Sequence, residues 1–151
     1  MYYVNRGQID ERLQFVPIIT QVLRSLHQSA QQHEKPEPFI ALFAQERALH
    51  LAIEVITDVG SLLIDGFLLR DASSYEDIVE ILVGEEVFTP PDAQMCLRLI
   101  RMRKTLTQQY MTFDRSALRT DLHEFAELLD QFPHLVNRFI QQELLEKAGE
   151  T

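Results

Sequence analysis

Arg47-Ala-Leu-His-Leu-Ala-Ile-Glu-Val-Ile-Thr-Asp-Val-Gly60 lies inside a longer run in which Phe39, Leu42, Leu49, Ile53, Ile56, Leu63 and Phe67 recur at intervals of three, four and seven. That is the period of a helix with one apolar face, and Gly60 is tolerated inside it at a cost of about 1 kcal/mol. Upstream, Ile9, Leu13, Val16, Ile19, Val22, Leu23 and Leu26 repeat at three and four and predict a first helix, which Pro17 is expected to kink. Between the two, Gln31 to Pro38 reads as a loop, with Pro38 placed as the first residue of the second helix. Downstream, Ser73 with Glu76 three residues later is a capping-box signature for a third helix from near Tyr75 to near Gly84. Thr89-Pro90-Pro91-Asp92 opens a fourth helix by the same logic. Asp114 is a cap for a fifth, through Leu118, Leu122, Phe125 and Leu129 and, beyond Pro133, Leu135, Val136, Phe139 and Leu144. No segment alternates with a period of two long enough to suggest a sheet. The 151 residues therefore read as one all-α domain, an antiparallel bundle of about five helices.

Charge is distributed unevenly over this bundle. In a chain of formal net charge −9, Ala93 to Phe113 contains no acidic residue and holds Arg98, Arg101, Arg103 and Lys104. The overall acidity argues against broad, non-specific nucleic-acid binding, because phosphate attraction scales with the positive charges presented. It leaves room for a local phosphate or RNA site on these four residues. The plainer reading is that Arg98, Arg101 and Lys104 solvate one face and pair with acids on other helices. Cys96 is the one cysteine, set among Met95, Leu97 and Leu99, so a buried thiol and a cytoplasmic setting are expected. The first ten residues lack the pattern of a signal peptide. No apolar run approaches the roughly 20 residues of a membrane span, and the longest candidate, Ser61 to Leu69, is interrupted by Asp65.

On one straight helix Arg103 and Tyr110 would lie within about 20° of the same face, with Gln108 about 140° away from Arg103. To converge all three, either the helix loosens near Thr107 or two chains assemble the site. On the second helix Arg47, Glu54 and Asp58 fall in a stripe about 20° wide, as expected of a polar groove or interface. That stripe could neutralise the fourth-helix arginines or flank the same cleft. Glu46, His50, Glu54 and Asp58 follow one another at steps of four but drift over about 120°, so no metal site is expected. His27, His33, His123 and His134 show no ligand spacing, and no glycine-rich phosphate loop is present.

Arg103-x4-Gln108-x-Tyr110 resembles the Arg-x4-His-x-Tyr signature of HepT-like proteins in the HEPN superfamily, with Gln108 where the family has histidine and Lys104 where it usually has asparagine. Arg47 to Glu54, Asp58-Val-Gly60 and Leu63-Ile-Asp-Gly66 are similar to that family's second helix, and Ser74-Tyr75-Glu-Asp-Ile78 with Leu82 to its third. The resemblance implies a homodimeric helical bundle in which two motif helices form one cleft. Active members are metal-independent ribonuclease toxins that need no cofactor. Each is paired with an MntA-like nucleotidyltransferase antitoxin that transfers AMP to the motif tyrosine. Carried over, Arg103 binds the scissile phosphate, position 108 transfers protons and Tyr110 accepts AMP. Glutamine cannot titrate as histidine does, and general acid–base catalysis contributes about 10²–10⁴-fold, so weakened or lost cleavage is expected. Tyr110 and Lys104 are the nearby titratable substitutes. The alternative is a non-catalytic dimer whose basic cleft binds RNA, a nucleotide or the nucleotidyltransferase.

Overall fold

The computed structural model describes residues 1–32 and 39–149. Five principal helices, α1 (Arg6–Gln32), α2 (Phe39–Gly66), α3 (Tyr75–Gly84), α4 (Pro90–Arg101) and α6 (Leu122–Gly149), are supplemented by the short α5 (Arg103–Thr107) and a 3-10 segment, Arg115–Asp121. No strand occurs among the described residues. The helix α1 extends through Gln32, so the expected loop begins later than Gln31. His33 and the predicted helix start at Pro38 lie outside the described residues. Pro17 and Pro133 are accommodated within unbroken helices.

The apolar stripes of these helices meet in one core. Ile9, Leu13, Val16, Ile19 and Leu23 of α1 pack with Leu49, Ile53, Ile56 and Leu63 of α2 and with Phe125, Leu129, Phe132, Val136 and Phe139 of α6. Gly60, mid-helix in α2, lets α3 approach closely: a Cβ there would fall 2.5 Å from Ile78 Cγ2 and 3.2 Å from Leu82 Cδ1. Two helix ends are closed by left-handed residues that are not glycine, Leu68 with φ 55° after α2 and Glu86 with φ 61° after α3. At the second, Val87 N–H donates to Leu82 O at 3.0 Å, closing the helix as a Schellman motif does.

Three sequence expectations shift locally. The α3 cap is Ser74, not Ser73: Ser74 Oγ accepts from Asp77 N–H at 3.0 Å. Ser73 serves the reciprocal half, its N–H donating to Asp77 Oδ2 at 2.9 Å. Thr89 caps α4 as expected, accepting from Asp92 N–H. Asp114 does act as a cap, accepting from Ser116 N–H at 3.1 Å, but the element it opens is the 3-10 segment, and α6 begins only at Leu122. The fourth helix is also broken. Met102 N–H reaches back three residues to Leu99 O at 3.1 Å, a tightened turn between α4 and α5, while Met102 and Leu106 stay packed against the core.

Candidate functional site

The four cations of the acid-free stretch do not act as one patch. Arg98 pairs with Asp121 at the end of the 3-10 segment, and Arg101 Nε donates to Glu76 Oε1 of α3 at 2.7 Å. Each pair is exposed and contributes little stability, about 0–1 kcal/mol. Their consequence is electrostatic, because two positive charges are already compensated. Lys104 is exposed at the start of α5.

Arg103 is placed differently. Its guanidinium carbon lies 3.7 Å above the centroid of the Tyr75 ring at the first turn of α3. Its Nε is buried without a hydrogen-bond partner, and no carboxylate pairs with it among the described residues. A planar cation stacked on an aromatic face keeps its N–H edges free for an acceptor. Tyr75 also walls an open hollow of about 470 Å³ with Ser61, Asp65, Asp71 and Ser74.

The rest of the motif leaves the helix. Helix α5 ends at Thr107, and the N–H groups of Gln108 and Gln109 both return to Lys104 O, at 2.9 and 3.2 Å. Helical-wheel angles therefore do not relate Arg103 to Tyr110. Gln108 and the half-exposed Tyr110 (51 %) sit on a solvent-facing turn. Of the two routes to convergence, the loosening near Thr107 is present within the single chain.

That turn is fastened by Arg115, which no sequence pattern had singled out. Arg115 donates to Tyr110 O at 2.5 Å, pairs with Glu46 and lies over the rings of Phe43 and Phe113 at 5.2 and 4.7 Å. Its own carbonyl accepts from the buried Gln45 Nε2 at 3.1 Å. Gln45 was legible in principle, because it falls three residues after Leu42 and four before Leu49, a polar side chain in an apolar stripe.

The polar stripe of α2 does not reach the arginines of α4. Asp58 pairs with Arg12 of α1 at 3.6 Å, while Arg47 Nη1 contacts His50 Nδ1 at 3.2 Å and His50 Nε2 lies 3.4 Å from Glu54 Oε1. Arg47 and His50, with Phe43, Glu46 and Leu106 of α5, line a cleft of about 200 Å³. Among the described residues no three His, Cys, Asp or Glu side chains gather as a metal site. Cys96 is buried, and desolvation followed by the nearby Asp92 pushes its thiol up to about 12, so it is not a nucleophile at neutral pH. No helix among the described residues is long and apolar enough to cross a membrane.

The all-α bundle corresponds to the expected family. Residues 19–136 match the model of the ribonuclease HepT-like family, and the chain belongs to it. The chain is 37 % identical over 144 residues to the candidate RNase YutE of Bacillus subtilis (strain 168), covering 95 % of each. A solved structure of YutE, described as a cytosolic protein of unknown function, aligns with a TM-score of 0.78 at 33 % identity over 95 % of this chain and 96 % of that one. The tri-AMPylated HEPN toxin of Shewanella oneidensis, solved in complex with its MNT antitoxin, aligns with a TM-score of 0.74 over 86 % of this chain and 96 % of that one. Its 13 % identity shows a shared fold alone.

Proposed function

We propose that this protein is a HepT-like ribonuclease that acts as a homodimer in the cytoplasm, binding RNA phosphate through Arg103 and cleaving it slowly because Gln108 replaces the motif histidine. The observation that carries this reading is the state of Arg103. Arg98 and Arg101 are compensated by Asp121 and Glu76, whereas Arg103 is oriented by Tyr75 and has no carboxylate partner among the described residues. Two copies meeting at the motif turn would join two such cations across one cleft. Cleavage without a metal, which the family resemblance implies, takes a proton from a 2′-hydroxyl and delivers one to the leaving oxygen. Gln108 can donate a hydrogen bond to a phosphate oxygen but cannot carry that proton. Tyr110, exposed on the same turn, is open to AMP transfer by a nucleotidyltransferase antitoxin.

A second reading, a cleft that binds RNA, a nucleotide or the nucleotidyltransferase without cutting, is favoured by the amide at position 108 alone. Incubating the protein and its Gln108→His variant with total RNA in excess chelator separates the two. Cleavage that rises about 10²–10⁴-fold in the variant, and is abolished in both by Arg103→Ala, supports the ribonuclease reading. Absence of cleavage from both proteins would sink it.

A further inference from the structure

The proton acceptor that Gln108 cannot be has a counterpart on the neighbouring helix. Helix α5 packs against α2: its first residue, Arg103, lies over Tyr75, and Leu106, about one turn further on, closes the cleft lined by Phe43, Glu46, Arg47 and His50. His50 is thus the histidine on the cleft beside the motif helix. Its side chain is 30 % exposed and that of Glu54 35 %, so both are ordered yet within reach of a ligand.

The hydrogen-bond partners fix the tautomer. A guanidinium has only donors, so Arg47 Nη1 at 3.2 Å requires a lone pair on His50 Nδ1. The ring proton then sits on Nε2, facing Glu54 Oε1 at 3.4 Å. A carboxylate behind one imidazole nitrogen, with the other left basic, is the order found in hydrolytic triads, where the acid orients the ring and stabilises the imidazolium that forms. Arg47 covers the basic nitrogen. It is exposed, and an arriving phosphodiester offers its fork a bidentate partner in place of the ring. The charged groups near His50 are Arg47, Glu54 and, one turn earlier on the same helix, Glu46, itself held by Arg115. The face that α5 contributes is the apolar Leu106.

We propose that His50 is the general base of the residual RNA cleavage, with Arg47 as a second phosphate ligand and Glu54 as the residue that positions the ring. This rests on the ribonuclease reading. The 2′-hydroxyl proton passes to His50 Nδ1 as the 2′-oxygen bonds to phosphorus. The bond from phosphorus to the 5′-oxygen breaks, and that oxygen takes a proton from water. The products are a 2′,3′-cyclic phosphate and a 5′-hydroxyl, and the imidazolium returns its proton to the solvent hydroxide.

The test compares wild type, His50→Ala, His50→Gln, Glu54→Gln, Arg103→Ala and Gln108→His on a labelled oligoribonucleotide in excess chelator from pH 5 to pH 9. Binding is read separately by anisotropy on a 2′-O-methyl oligonucleotide that cannot be cut, and folding by thermal melts. Both His50 variants should lower the residual rate about 100-fold or more and remove the acid limb of its pH profile, while binding changes less than about twofold. Glu54→Gln should slow cleavage less than either His50 variant, with binding within about twofold of wild type. Wild-type cleavage by His50→Ala, or by His50→Gln should the alanine variant not fold, while Arg103→Ala is inactive, would overturn the role of His50 and leave the ribonuclease reading standing. Cleavage by Gln108→His alone would overturn it equally. Absence of cleavage from every protein would remove the ribonuclease reading together with it.

Discussion

Replacing Tyr75 by leucine removes the platform beneath Arg103 without touching its charge. The guanidinium carbon is 3.7 Å from the ring centroid and Tyr75 is 39 % exposed, between the fully exposed and the desolvated case. Cation–π contacts contribute about 0.5–1 kcal/mol at exposed sites and about 2 when desolvated, so about 1 kcal/mol of orientation is at stake. At about 1.4 kcal/mol per tenfold in affinity, an oligoribonucleotide should bind roughly fivefold more weakly. Fluorescence anisotropy at about 50 mM salt, where screening is modest, measures this directly. Arg103→Ala should weaken binding further and lower the salt slope by about one, whereas Tyr75→Leu keeps the charge and hence the slope. Tyr75→Phe keeps the ring and should bind within about twofold of wild type. The reasoning fails if Tyr75→Leu binds as wild type while Arg103→Ala loses tenfold, or if phenylalanine is as damaging as leucine.

Gly60→Ala sets a helix-propensity gain of about 1 kcal/mol against overpacking of about 1–3 kcal/mol. The new methyl would sit 2.5 Å from Ile78 Cγ2, on a β-branched side chain that cannot swing away, so the variant should melt several degrees lower; an unchanged or raised Tm contradicts this. Asp77→Asn tests the latch before α3. The Arg70 guanidinium, then the Ser73 N–H, hold the Asp77 carboxyl well below the usual carboxylate range. A depressed native value means stability that is present above the unfolded carboxylate's titration and lost as pH falls below about 4. In urea titrations the variant should be less stable than wild type at pH 7, with the gap closing toward pH 2. A deficit equal at both ends would show that the ionised carboxylate is not its source.

The sequence by itself determined the helices, most of their ends and the location of the unusual charge. Apolar period and caps such as Thr89 act within one or two turns, so Ile9 to Leu26, Phe39 to Phe67 and Pro90 to Arg101 announce their own conformation. Even there, the sequence points to Ser73 as the cap where Ser74 serves, because either hydroxyl can face the N–H groups of a first turn. The Arg-x4-Gln-x-Tyr spacing likewise identified the motif. What the motif's residues face was decided by the tertiary structure. Arg98 meets Asp121 and Arg101 meets Glu76 across 23 and 25 residues of chain, and no local pattern encodes such a distance. The break at Met102 has no proline or glycine to mark it and accompanies the packing of Met102 and Leu106 on the core. Beyond that break α5 packs against α2, and the cleft that His50 lines is closed by Leu106. A charge-rich segment could thus be read from the sequence, but which of its arginines lacks a carboxylate partner among the described residues depends on which carboxylates the fold brings to the others.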